Sequence, residues 1–171
     1  MVLRETAAIT WVTNKKMKGL LKSFVYAGNG ILWCLKNERN MRAHFSLCVY
    51  MYAYLLCYDF FTLSKTEWAV ILLVNALVFS LEIVNTAVEK AVDMFTKEKN
   101  EFAKISKDAA AGAVLVSAIF AVIIGIVILY QPEAFRAMFL YYKEHVYLLL
   151  VLAASLVLTF GFILKGIPTK K

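Results

Sequence analysis

Glu82, Asn85, Thr86, Glu89 and Asp93 fall at i, i+3, i+4, i+7 and i+11 within LEIVNTAVEKAVD, residues 81–93. On a helix this spacing lines them along one stripe, and Asn75, seven residues before Glu82, extends it. The other side carries Leu81, Ile83, Val84, Ala87, Val88 and Ala91, which suit lipid or packed neighbours. The segment otherwise reads as membrane-spanning, so Glu82 is a carboxylate inside a bilayer. Such a charge costs about 2.5 kcal/mol or more and usually marks a pathway or a site. The plain alternative is a polar seam between helices, which Asn and Thr alone could supply.

The elements that must position these groups follow from composition. The chain has 171 residues, 61% of them hydrophobic, with a mean hydropathy of +0.68. A soluble domain carries about 45–50% apolar residues. The reading is therefore an all-α integral membrane protein. Residues 1–19 form an N-terminal extension. The stretch up to residue 42 alternates Lys15, Lys16, Lys18, Lys22, Lys36, Arg39 and Arg42 with aliphatic and aromatic side chains. That pattern predicts an amphipathic helix lying on the membrane surface, with Gly28 and Gly30 interrupting or bending it. Spans are expected over about 43–63, 67–92 and 109–130, the second capped by Ser64 or Thr66. Asp108 reads as an N-cap or first-turn acid of the third. Residues 131–171 form a C-terminal extension, with a mixed aromatic stretch over 133–145 and a fourth span over about 146–164, long enough to cross the apolar core.

Cys34, Cys48 and Cys57 form no C-x-x-C pair and read as small packing residues. The GNG at 28–30 lacks the last glycine of a dinucleotide fingerprint, and there is no P-loop sequence. A net charge of +7 would suit nucleic acid in a soluble protein. Here it suits an anionic membrane surface, and no nucleic-acid partner is expected. Lys and Arg number eight up to residue 42, five in the 89–108 loop and three in the tail, against one and two in the remaining loops. This asymmetry places both termini and the 89–108 loop in the cytoplasm.

On that topology Glu38, Arg39, Glu82, Glu89, Asp93, Lys107 and Asp108 gather near the cytoplasmic membrane surface. His44 lies at the same boundary and reads as an interfacial polar residue. Oxygen ligands of this kind suit Mg²⁺ shared with nucleotide phosphates. A desolvated carboxylate can act as general base, and at the membrane surface it can reach a lipid hydroxyl. The chemistry indicated is phosphoryl transfer, in which positioning and charge neutralisation dominate.

LEIVNTAVEKAVD followed by AKISKDAAAGAVLV resembles the signature E-x-x-N-[ST]-A-x-E-x-x-x-D … A-K-x-x-K-D-x-x-x-[AG]-A-V of the prokaryotic diacylglycerol kinase/undecaprenol kinase family. KSFVYAGNGILWCLKNERNMRAH is similar to that family's amphipathic arm, and the likeness covers residues 20–130. It implies a homotrimeric lipid kinase in the bacterial plasma membrane, multi-pass, with its N-terminus in the cytoplasm. It implies Glu82 as catalytic base, with Asn85 orienting it or binding the lipid alcohol. Glu38 and Glu89 would hold Mg²⁺. Tyr26, Gly30, Glu38, Glu89, Asp93, Lys107 and Asp108 would serve the co-substrate ATP. The NERN arm resembles the Gram-positive branch, which implies undecaprenol as acceptor, with diacylglycerol the alternative. One basic residue usual in the family's arm is replaced by Gly19, and residues 131–171 lie beyond the family's usual end. Two other classes compete. A small transporter or channel would use Glu82 as an ion site, and a non-catalytic scaffold would use the polar stripe only to hold helices together.

Overall fold

A computed structural model describes residues 2–96 and 100–166, with side chains from residue 19 onward. Lys97, Glu98 and Lys99 of the charged loop, and Pro168, Lys170 and Lys171 of the tail, lie outside the described residues. Six helices follow one another: α1 (Val2–Asn37), α2 (Arg39–Cys57), α3 (Lys65–Phe95), α4 (Glu101–Leu129), α5 (Pro132–Glu144) and α6 (Val146–Lys165). No strand occurs among the described residues. The chain divides into two units, residues 1–34 and 35–171.

The first unit is the greater part of α1. The helix runs without a break through Gly28 and Gly30, contrary to the expected interruption. Neither glycine has a positive φ. Each costs up to about 1 kcal/mol in a helix interior, which lowers stability without ending a helix of this length. Leu20, Leu21, Phe24, Val25, Ile31 and Leu32 are all exposed. In water that apolar surface would be a liability, whereas a membrane surface covers it.

In the second unit α3 and α4 pack against each other, and α2 packs on both α3 and α6. Three helices, α3, α4 and α6, are long and apolar enough to cross a membrane. Their outward faces are large exposed aliphatic and aromatic side chains, which is the expected surface for lipid contact. α2 is shorter than the stretch read as the first span: it ends at Cys57, and Tyr58 is already extended. Aromatic stacking accounts for that early end. Tyr58 stacks on Tyr54 at 5.5 Å and on Phe60 at 5.0 Å, and meets Tyr141 of α5 edge-on at 5.6 Å. The connection is held further by Gln131, whose side chain accepts from the Thr62 N–H and donates to the Thr62 carbonyl.

Caps fix the remaining starts. Ser64 caps α3 in a reciprocal box with Glu67, which satisfies two backbone donors at once. Asn100 caps α4 by accepting from Phe102 and Ala103. α4 therefore begins more than a turn earlier than the expected third span. Asp108 sits inside the helix and neither caps it nor lies in its first turn.

α6 buries none of its residues, yet it is tied to α2 by a ladder of polar contacts. Arg42 donates from Nε and Nη2 to the Ile163 carbonyl, at 3.1 and 2.9 Å. Tyr50 lies 3.0 Å from both Ser155 Oγ and Thr159 Oγ1. A separate contact ties α2 to α5, where Tyr54 Oη lies 2.6 Å from Tyr142 Oη. Between helices whose apolar side chains are already covered by lipid, such contacts and close packing supply the attraction.

Candidate active site

The polar stripe of α3 faces inward. Glu82 is 2% exposed, Asn85 9% and Thr86 5%, so the periodicity seen in the sequence is used to bury polar groups. Each of these groups meets a neighbour. Glu82 Oε1 lies 3.3 Å from His44 Nε2 on α2. Asn85 Nδ2 donates to Glu89 Oε1 at 3.0 Å. Thr86 Oγ1 donates back to the Glu82 carbonyl at 3.0 Å. Farther along α3, Lys90 Nζ stands 3.8 Å from Glu38 Oε1 at the start of α2. Asp93 forms an ion pair with Lys107 of α4.

Two buried oxygens in this stripe, Glu82 Oε1 and Asn85 Oδ1, have no aligned hydrogen-bond partner. The His44 nitrogen is close to Glu82 but not in hydrogen-bonding alignment. Each unsatisfied buried polar atom costs about 1–3 kcal/mol. Two of them three residues apart on one face is a cost that a mere helix seam would not carry. Such orphans call for a ligand or a reaction.

Among the described residues, no three of His, Cys, Asp and Glu converge as a self-contained metal site. The donors present are nevertheless of the right type for Mg²⁺. Glu38 and Glu89 supply hard carboxylate oxygens, and the unpartnered Asn85 Oδ1 is a third oxygen adjoining Glu89. Mg²⁺ ordinarily takes one or two carboxylates and completes its shell with phosphate oxygens and water.

A cavity of about 250 Å³ opens between α2, α3 and α4. Its lining is apolar, with Cys48, Met51, Val78, Phe79, Ala118 and Val122 among its walls and His44 and Asn75 as its polar members. His44 and Val78 lie next to Glu82, in contact and one turn away respectively. The small residues of α4 leave this space open.

Of the residues singled out in the sequence, Glu38, Glu82, Asn85, Glu89, Asp93 and Lys107 are thus joined along one line of α3 and its neighbours. Asp108 follows Lys107 on α4 and is exposed. Tyr26 and Gly30 lie on α1 in the other unit, both exposed. His44 and Lys90 are additions. The sequence marks His44 only as an interfacial residue and Lys90 only as a topology charge. The available signal was level: His44 and Glu82 both fall toward the same membrane boundary on adjacent segments.

Comparison with known proteins gives a consistent result. Residues 25–129 match the family model for prokaryotic diacylglycerol kinase. The undecaprenol kinase of Bacillus subtilis (strain 168) is 42% identical over 113 residues, covering 66% of this chain and 89% of the relative. The diacylglycerol kinase of Synechocystis sp. is 41% identical over 114 residues, covering 66% of this chain and 63% of that one. The diacylglycerol kinase of Helicobacter pylori (strain J99) is 31% identical over 109 residues, covering 62% and 80%. α5 and α6 lie beyond the family match.

Proposed function

Because the chain belongs to the prokaryotic diacylglycerol kinase family and is a membrane lipid kinase, we propose that it transfers the γ-phosphoryl group of ATP to undecaprenol at the cytoplasmic face of the plasma membrane. The carrying observation is Glu82: a carboxylate buried to 2% exposure, with one oxygen unengaged, at the edge of an apolar cavity. That arrangement suits a substrate with a single hydroxyl on a long apolar body.

Glu82 takes the proton of the lipid hydroxyl. The lipid oxygen bonds to the γ-phosphorus, the bond to the bridging oxygen breaks, and ADP leaves. Asn85, already engaged with Glu89, orients the acceptor side. Lys107, held by Asp93, presents its ammonium to the phosphates. The family resemblance assigns Asp108 a role toward the nucleotide, and gives Tyr26 and Gly30 of α1 the same kind of role. Glu38 and Glu89 would hold Mg²⁺, which when bound neutralises phosphate charge. The kinase domain is residues 20–130, and it acts as a homotrimer with its N-terminus in the cytoplasm.

The acceptor is tested in mixed micelles with Mg²⁺ and radiolabelled ATP, offering undecaprenol and diacylglycerol separately. Label in undecaprenol alone is expected, in keeping with the 42% identity over 89% of the Bacillus subtilis relative. Label in diacylglycerol alone would reverse the acceptor and leave the mechanism intact. That second reading is favoured by the nearly equal identity to the Synechocystis relative.

Metal assignment is tested in the same assay. Glu38→Gln and Glu89→Gln each remove one hard oxygen charge, and each should raise the Mg²⁺ concentration for half-maximal activity about tenfold or more, as loss of a metal-site group does. Unchanged Mg²⁺ titrations in both variants would take these residues out of the metal site.

A further inference from the structure

We infer that His44 is a positioning residue for the acceptor reaction: its Nε2–H closes onto Glu82 Oε1, the oxygen without an aligned partner, and so fixes the orientation in which the carboxylate meets the lipid hydroxyl. The inference rests on the reading of Glu82 as base.

The geometry leaves few other candidates. Glu82 is buried, and its Oε1 lies 3.3 Å from His44 Nε2 without a bond in line. The donors around it on the same stripe are committed elsewhere. Thr86 Oγ1 donates to a backbone carbonyl, Asn85 Nδ2 to Glu89, and Asn75 Nδ2 to Tyr52 Oη at 2.8 Å. His44 is the side chain with a ring nitrogen in reach of the orphaned oxygen. A small closure of the pair completes the bond, and apo catalytic hydrogen bonds are often long and poorly aligned before substrate arrives.

The ring also has the right second contact. His44, Cys48 and Met51 are spaced i, i+4, i+7 on α2 and together form one wall of the apolar cavity. A lipid chain in that cavity would press on the same ring that touches the base. Occupation of the cavity by the acceptor would thereby set the carboxylate, which ties proton removal to the presence of the correct substrate.

His44→Gln, His44→Asn and His44→Phe, made in the full chain, separate positioning from packing. Glutamine places an N–H donor where Nε2 stands, asparagine places it where Nδ1 stands, and phenylalanine keeps the ring but no donor. Because His44 lines an apolar cavity, phenylalanine should leave thermal stability unchanged or raised. Its kcat should nevertheless fall about 10–100-fold, the usual loss when an orienting partner is removed, with the KM for ATP unchanged. Asparagine should resemble phenylalanine, and glutamine should restore most of the lost kcat. Wild-type turnover in His44→Phe would overturn the proposal. So would equal losses in all three variants accompanied by lower stability, which would mark His44 as structural. Glu82→Gln run alongside keeps the two ideas apart: full activity in that variant would remove the base assignment itself, whereas an inactive Glu82→Gln beside an active His44→Phe would remove only the role of His44.

Discussion

Glu82→Gln should leave a folded, membrane-inserted protein that has lost most of its lipid phosphorylation. The substitution keeps the shape of the side chain and exchanges a carboxylate oxygen for an amide nitrogen that cannot accept a proton. General base catalysis contributes about 10²–10⁴-fold, so kcat should drop within that range while the KM for ATP stays close to its original value. The effect on stability has the opposite sign. Glu82 is 2% exposed, and its nearest charged or chargeable neighbour is a half-buried histidine at 3.3 Å. Removing an imperfectly paired buried charge relieves desolvation. Glu82→Gln should therefore unfold at the same temperature as the parent or higher. Initial rates with undecaprenol and melting curves in detergent give both quantities. Normal phosphorylation by the variant would refute the base assignment, and a transporter or scaffold reading would then regain ground. A collapsed melting temperature would make Glu82 a structural group.

The stripe that carries this prediction was readable because helical periodicity is a local property. The order of Glu82, Asn85, Thr86 and Glu89 on α3 depends only on 3.6 residues per turn. The Ser64 cap and the apolar run of α6 were equally local. What escaped the sequence is contact across distance. Which side of α2 meets α3 depends on a rotation that no single helix encodes, so the closeness of His44 to Glu82 and of Lys90 to Glu38 emerged only from the fold. The start of α4 was missed for a different reason: Asp and Asn are both capping residue types, and it is the Asn100 side chain that accepts from the first free N–H groups, those of Phe102 and Ala103. Gly28 and Gly30 misled because weak helix propensity at two positions is outweighed by a long helix around them.

Arg42 was counted in the sequence only as one of the basic residues of the arm, yet replacing it by leucine should be among the most destabilising single changes in the chain. Its side chain is 5% exposed and has no carboxylate partner among the described residues. Its counter-charge comes from two helix ends. Nε and Nη2 donate to the Ile163 carbonyl in the last turn of α6, and Nη1 donates to the Lys36 carbonyl in the last turn of α1, at 2.9 Å. The last carbonyls of a helix lack intrahelical donors and carry the negative end of its dipole. One guanidinium thus satisfies two helix termini, and its planar fork reaches both where an ammonium would reach one. Gly166 makes the approach possible. It closes α6 with φ +68°, and a Cβ there would stand 3.1 Å from Arg42 Nη1 and 3.2 Å from the Lys36 carbonyl. Charge-assisted bonds of this kind are each worth about 1.5–3 kcal/mol, partly recovered if water reaches the freed carbonyls. Arg42→Leu should therefore cost on the order of 2–4 kcal/mol and release α6, Arg42→Lys should cost less, and Gly166→Val should act in the same direction by pushing the guanidinium away. Hydrogen exchange in detergent reads this directly: amides of 146–165 should lose protection in Arg42→Leu while those of α3 keep theirs. Unchanged protection of α6 would show that the clamp does not hold it. Activity should fall in parallel, because Glu38 and His44 flank Arg42 on α2, and a loosened α2 would no longer hold either one against α3.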